Sequence, residues 1–261
     1  EVTITGEYSV DDALSWNSAV LDNIEFESGG EDDYSLSFDG VDDYVYIGSP
    51  EILLLNDFTI SFWFKSSYTA SPENWIYILG STGVLNFELY GNGVLRFGLV
   101  VETGNWGSID SDPGLNDGNW HFITATRNAS SGSFNLYVDQ DLLTDGYQGS
   151  DFSNLTGQIA ANSQLFIGLF SVGHWTHFYG NIDEVQIWNT ILSESQIQSF
   201  MSTSPAGNEA GLIGYWNFNE GTGDTLTDQT TNGNDGAIYG ATWSEDVPLP
   251  YIPGSFTWQT T

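Results

Sequence analysis

Short runs in which apolar and polar residues alternate one by one recur along this chain, and they constrain its fold more than any other feature. Residues 35–47, SLSFDGVDDYVYI, hold two such runs around the turn dipeptide Asp39–Gly40. Alternation of period two sends successive side chains to opposite faces, the pattern of a half-buried strand and not of an amphipathic helix. Residues 57–65, DFTISFWFK, repeat it, with Phe58, Ile60, Phe62 and Phe64 on one face and Trp63 on the other. Further runs follow at 75–79, 84–90, 94–101, 120–127, 133–138, 165–169 and 182–188, several of them joined by Gly- and Asn-rich turns. With 10 Trp, 13 Tyr and 16 Phe, strands of this kind have enough ring surface for a large core. The expectation is all-β: a two-sheet antiparallel β-sandwich.

One segment departs from the pattern. Ser193 followed by Gln196 forms a capping box, Leu192 and Ile197 fit a hydrophobic staple, and Ile197, Phe200 and Met201 make an apolar stripe. This predicts one short helix near 193–201, packed on the sandwich edge.

Three stretches carry a resemblance: 35–47; 119–122 (NWHF) leading to 136–139 (LYVD); and 180–188 (GNIDEVQIW) followed by the helix. In this order they resemble the laminin-G-like, concanavalin A-type jelly roll, to which the pentraxins are related. The resemblance covers roughly 34–201 and implies the fold more sharply than the function. This fold carries lectins, adhesins, glycan-binding modules and glycosidases.

The domain expectation has three parts. Residues 1–33 read as an N-terminal extension, edge strand or linker, with weak strand candidates at 2–4 and 21–26. Residues 34–243 read as the jelly-roll domain, and 244–261, with three prolines, as a linker or tail. The run 216–223, WNFNEGTG, precedes the SLSFDG strand in related modules but follows it here. Residues 211–243 therefore either close this sandwich or begin another repeat. A chain opening at Glu1 is expected to be a mature form or a module of a larger protein.

Charge narrows the partners. Lys65, Arg96 and Arg127 are the only cations against 35 carboxylates, a net charge of −32. Nothing here could neutralise a phosphate backbone or seek an anionic lipid surface, so nucleic acid and membrane are excluded as partners. No run is apolar for long enough to span a bilayer, and no signal-peptide pattern is visible. A surface this acidic suits a secreted or cell-surface protein in salt water, such as a marine bacterium's, and hard divalent cations favour its oxygen donors. The absence of cysteine excludes disulfides, zinc–thiolate sites and thiol nucleophiles.

Four constellations could carry chemistry. Glucanases of this fold place a carboxylate pair on one strand as Glu–x–Asp–x–Glu. No such run is present, and Asp183 and Glu184, being adjacent, are expected on opposite faces of a strand. The reading is therefore no catalytic residues and no enzyme activity. For metal, the resemblance implies a structural Ca2+ tying the early turn to the late strand, held by Asp39, the Gly40 carbonyl and Asp183, with Asp42 or Asp43 as substitutes. The bland alternative is that these aspartates cap turns. In the pentraxins the loop equivalent to 168–179, GLFSVGHWTHFY, supplies acidic calcium ligands. Here it has no carboxylate and carries His174, Trp175 and His177 instead. Such rings either stack on a sugar or pack on the protein's own sandwich. Trp75, Tyr77, Tyr90 and Trp106 lie on strands or a loop that could line a concave sheet, as platform or as core.

The function expected is a non-catalytic, secreted carbohydrate-binding module that is monomeric within a multidomain chain and has a polysaccharide or glycan as partner. The ligand-binding candidates are His174, Trp175, His177, Trp106, Trp75 and Tyr77. The alternative is a structural or protein-adhesion module, and a glycoside hydrolase comes third.

Overall fold

A computed structural model describes residues 33–48, 56–81, 84–101, 104–143, 147–149, 156, 159 and 164–249. The strand candidates at 2–4 and 21–26, and the end of the tail, lie outside these residues.

In chain order the strands are β1 (Ser35–Asp39), β2 (Tyr44–Gly48), β3 (Phe58–Lys65), β4 (Trp75–Ser81), β5 (Leu85–Tyr90) and β6 (Leu95–Val100). Then come β7 (Trp106–Asp110), β8 (Trp120–Arg127), β9 (Phe134–Val138), β10 (Asp141–Leu142), β11 (Tyr147–Gly149), β12 (Leu165–Ile167) and β13 (Tyr179–Trp188). The helix α1 (Glu194–Phe200) precedes β14 (Leu212–Trp216), β15 (Thr225–Leu226), β16 (Gly236–Tyr239) and β17 (Thr242–Ser244). They form two antiparallel sheets. The first runs β10-β9-β8-β3-β13-β1-β17, with β14 also on β13; the second runs β11-β7-β6-β5-β4-β12-β2-β16-β15. The run at 211–243 therefore adds strands to both sheets: β14 pairs with β13, β16 with β2 and β17 with β1.

The core lies between the sheets, where the apolar phase of each alternation meets its counterpart. Phe58, Ile60, Phe62 and Phe64 of β3 are all fully buried there. Phe62 meets Phe87 of the opposite sheet edge to face, ring centroids 4.9 Å apart. Burying side chains of this size contributes about 1.5–3 kcal/mol each.

A second apolar cluster forms on the outer face of the first sheet. Trp63, Phe122, Tyr137 and Trp188 are covered there by Leu192, Ile197 and Met201. The capping box is present, with Ser193 and Gln196 satisfying each other's backbone N–H groups. The helix covers this sheet face and not the sandwich edge, because two tryptophans on the outer face need a lid.

Candidate functional site

The loop at 168–178, between β12 and β13, is pinned at both ends. Gly168 sits at φ 80, and a Cβ there would press on Phe38, so only glycine makes this turn against the core. Its N–H donates to the Ile78 carbonyl (2.7 Å), and Phe178 N–H donates back to the Gly168 carbonyl (2.9 Å). Phe178 plugs the core against Phe38 and Phe64. Between these anchors His174 packs edge-on against Tyr77 (5.1 Å) and Phe170 (5.8 Å), while Tyr77 and Phe170 stack at 4.9 Å. His177 Nδ1 lies 3.4 Å from the Asp43 carbonyl. With its neighbours occupied this way, Trp175 projects outward and is 88% exposed.

His174, Trp175 and Tyr77 are thus brought together, with Tyr77 as buried support. Trp75 shares the Tyr77 face of β4 two residues on and packs against Tyr90 (5.8 Å). Trp106 opens β7 and is half-exposed, three strands away from β4, about 14 Å at the usual strand spacing. It does not join the others. His174 and His177 are not part of any metal-ligand cluster among the described residues.

Beside Tyr77 runs a polar row that the sequence reading did not single out. Register aligns Tyr77, Glu88, Arg96 and Asp110 across four strands. Arg96 grips Asp110 with two hydrogen bonds, Nε to Oδ1 (2.6 Å) and Nη2 to Oδ2 (2.7 Å), and donates through Nη1 to Tyr90 Oη (2.6 Å). Tyr90 in turn donates to Glu88 Oε2 (3.0 Å), and Asn86 donates to Oε1. Glu88 is 8% exposed, and burial pushes its pKa up against the pull of Tyr90, Arg96 and Asn86. Two carboxylates on one face would interest a glycosidase. Here Arg96 stands between them in register and binds Asp110 through two hydrogen bonds.

The metal candidates separate into two places. Asp39, Asp42 and Asp43 gather at the β1–β2 turn with ligand atoms all within 4.8 Å. Asp43 accepts the Asp39 N–H (2.8 Å), and Asp39 accepts the Val41 N–H (2.8 Å), so both also act as turn caps. Asp183 lies elsewhere. Leu36 pairs with Ile182 and Asp39 with Tyr179, which puts Asp183 beside Ser35, four residues or about 13 Å along the ladder from Asp39. One ion cannot be held by Asp183 together with Asp39 and Gly40.

The expectation for Asp183 and Glu184 also needs correction. A β-bulge interrupts β13 between Asp183 and Gln186, with Glu184 at φ 54. Ile182 and Val185 both face the core, so the two residues between them share the outer side. Asp183 is 1% exposed, and its pKa is raised well above the ordinary range by burial and by the charges of Glu184 and Asp33. Burial likewise pushes Glu184 to about 7, although Tyr215 Oη donates to both its oxygens (2.9 Å each) and Ser204 Oγ to one (2.9 Å). The cations are engaged elsewhere: Lys65 with Asp246, Arg96 with Asp110, and Arg127 with the Asn56 carbonyl. Asp183 and Glu184 are therefore desolvated carboxylates with no cationic side chain beside them, although among the described residues the ligand atoms close enough to share one ion are those of Asp39, Asp42 and Asp43.

Comparison with known proteins agrees with this architecture. A Bacteroides ovatus protein that has been assigned to carbohydrate binding superposes with a TM-score of 0.65 at 18% identity, over 85% of this chain and 62% of that one. A heptameric SAP-like pentraxin from Limulus polyphemus superposes with a TM-score of 0.53 at 18% identity, over 70% of this chain and 89% of that one. In sequence, the chain is 26% identical over 209 residues to the Rattus norvegicus sushi, von Willebrand factor type A, EGF and pentraxin domain-containing protein 1, and 27% identical over 203 residues to its Mus musculus counterpart. It spans only 5% of those long proteins while they match 74% of it. The family model for the concanavalin A-like lectin/glucanases superfamily matches residues 39–198, more than half of the sequence, and the chain belongs to that superfamily.

Proposed function

We propose that this chain is a non-catalytic carbohydrate-binding module acting outside the cell, with Trp175 as its ring platform. The carrying observation is the 88% exposure of Trp175 on a loop fixed at both ends. A large ring presented to water on an anchored loop offers a ready stacking surface, and binding residues concentrate on such loops. Because this loop has no carboxylate, recognition rests on stacking and hydrogen bonds and not on a calcium bridge of the pentraxin kind. The glycan reading is supported by a structural neighbour described as carbohydrate binding. The non-catalytic reading is supported by Arg96, which stands between Glu88 and Asp110 in register and engages Asp110 through two hydrogen bonds. Among the described residues no helix is long and apolar enough to cross a membrane.

Residues 34–243 act as one module closed by 211–243, since β14 and β16 pair with β13 and β2 of the family-matched region and β17 pairs with β1. Its place is as one part of a larger extracellular chain, and its structural ion is Ca2+ at Asp183. A glycan array run with calcium and with chelator tests the reading, with Trp175→Ala as the control. Retention of at least one neutral glycan by the parent and its loss in Trp175→Ala is the expected result. Equal retention by both moves the site away from this loop.

A further inference from the structure

A hollow of about 160 Å³ opens on the outer face of the first sheet, at the end where β1, β3 and β13 meet. Its walls include Ser37, Lys65, Ser67, Gly118, Tyr179 and Asn181. Ser37, Asn181 and Lys65 stand in one cross-strand row, so their side chains leave the sheet on the same side. Tyr179 borders this row. It is 45% exposed, yet its backbone is held by the Ser66 hydroxyl, which donates to the Tyr179 carbonyl (2.6 Å). Its side chain rests against Gly40, where a Cβ would come within 3.1 Å of the Tyr179 Cβ. The base of the side chain is therefore held at the edge of the hollow.

The charge of the hollow is settled by a clamp from the C-terminal side. Lys65 Nζ donates to Asp246 Oδ2 (2.7 Å), and Trp120 Nε1 donates to Asp246 Oδ1 (3.0 Å). The Asp246 carbonyl also accepts from Ser35 Oγ (2.7 Å). Asp246 thus cancels the charge of Lys65 and leaves its remaining N–H groups as donors. Asn181 Nδ2 donates to Ser35 Oγ (3.0 Å), which leaves Asn181 Oδ1 as an acceptor.

We infer that this hollow is a second binding site, for one neutral pyranose ring of a glycan. The inference rests on the carbohydrate reading above and adds a site with different residues. The volume is well below the roughly 300 Å³ at which drug-sized sites begin, so it suits a single small ring. The lining offers serine hydroxyls, the Asn181 amide and the Lys65 ammonium beside the Tyr179 ring, which suits a pyranose with hydroxyls at its rim and C–H bonds on its face. An anionic sugar would have to displace Asp246 from Lys65 in a protein of charge −32, which favours a neutral one.

The test is titration of the intact chain with methyl glucoside, methyl galactoside, methyl mannoside and 3′-sialyllactose, read by calorimetry and by protein NMR shifts. The variants are Tyr179→Ala, Ser67→Trp, Lys65→Gln and Trp175→Ala. Ser67 is exposed, so a tryptophan there fills the hollow without entering the core. At least one neutral glycoside is expected to bind the parent, and Tyr179→Ala and Ser67→Trp should each weaken it tenfold or more. NMR shifts of the residues around the hollow on adding that glycoside should persist in Trp175→Ala, whatever this variant does to binding at the loop. Unchanged binding in both hollow variants, or no neutral glycoside bound by the parent, overturns the inference. Preference for sialyllactose that is lost in Lys65→Gln overturns the neutral assignment. If the hollow variants lose the monosaccharide while Trp175→Ala retains every glycan on the array, the hollow stands and the loop reading fails.

Discussion

His174 stands edge-on to Tyr77, ring centroids 5.1 Å apart and planes at 88°, and this contact ties the Trp175 loop to the outer face of the second sheet. Such a pair contributes about 0.5–1.5 kcal/mol beyond the area it buries. It also divides the labour along the loop: His174 faces the protein and Trp175 faces water.

That division predicts different outcomes for neighbouring substitutions. Trp175→Ala removes a side chain with little packing, so the melting temperature should stay within about a degree of the parent. Glycan affinity should fall roughly tenfold to a hundredfold, taking about 1–3 kcal/mol for a lost stacking contact. His174→Ala should lower the melting temperature by a few degrees, at about 2–4 °C per kcal/mol for a domain of this size, and weaken binding less. Melting curves and calorimetric titrations of the two variants side by side decide the matter. A large stability loss in Trp175→Ala would show packing where a platform is claimed.

The strands and the helix cap were legible in the sequence because both are local. Period-two alternation sorted the faces of β3 correctly down to Trp63, and Ser193 with Gln196 announced the helix start. Whether Trp175 packs or projects was open in the sequence, because it depends on how Gly168, His174 and Phe178 anchor its loop. What failed was any inference that assumed unbroken alternation or guessed register. The bulge at Asp183 and Glu184 adds one residue, and two side chains expected on opposite faces share one. The row from Tyr77 to Asp110 draws on four strands, whose pairing no local pattern states. The hollow at Tyr179 joins three strands with the turn at Gly118, and its charge depends on Asp246, far along the chain.

His121 predicts a pH dependence of stability. Burial alone would lower its pKa, but hydrogen bonds and charge from Asp139 (3.3 Å) and Asp117 (3.2 Å) outweigh this and raise it. A histidine whose folded pKa exceeds its unfolded value near 6.5 binds its proton more tightly when folded. The stabilisation is fully present below about pH 6.5 and is lost as pH rises through the folded pKa. The melting temperature should therefore fall between about pH 6 and pH 8 at fixed ionic strength. In His121→Gln that slope should flatten, and an identical slope in the variant would remove His121 as its source.

The polar row predicts a structural role for Glu88. Glu88→Ala strands the Tyr90 hydroxyl and the Asn86 amide, and leaving such buried groups without a partner costs about 1–3 kcal/mol. The variant should melt several degrees lower, and the parent should release no reducing ends from neutral β-glucans above a buffer blank. Measurable release by the parent that disappears in Glu88→Gln would instead make this carboxylate catalytic.

The separation of the aspartates predicts which of them governs calcium. Asp183 is 1% exposed among like charges, an arrangement that is unfavourable when ionised without a counter-ion and favourable around a dication. A ligand that binds only the folded state stabilises it by about 2.7 kcal/mol at a hundred times its dissociation constant. At that saturation chelator should lower the melting temperature by roughly 5–10 °C. Asp183→Asn keeps the side-chain shape but weakens the donor, so the variant should lose most of this sensitivity. Asp39→Asn should keep it, because Asp39 lies about 13 Å along the ladder. The reverse pattern, with sensitivity lost in Asp39→Asn and kept in Asp183→Asn, would assign the ion to the turn cluster with Asp42 and Asp43. A parent whose melting temperature ignores chelator at matched ionic strength would leave both clusters as hydrogen-bonded turns and a proton-holding bulge.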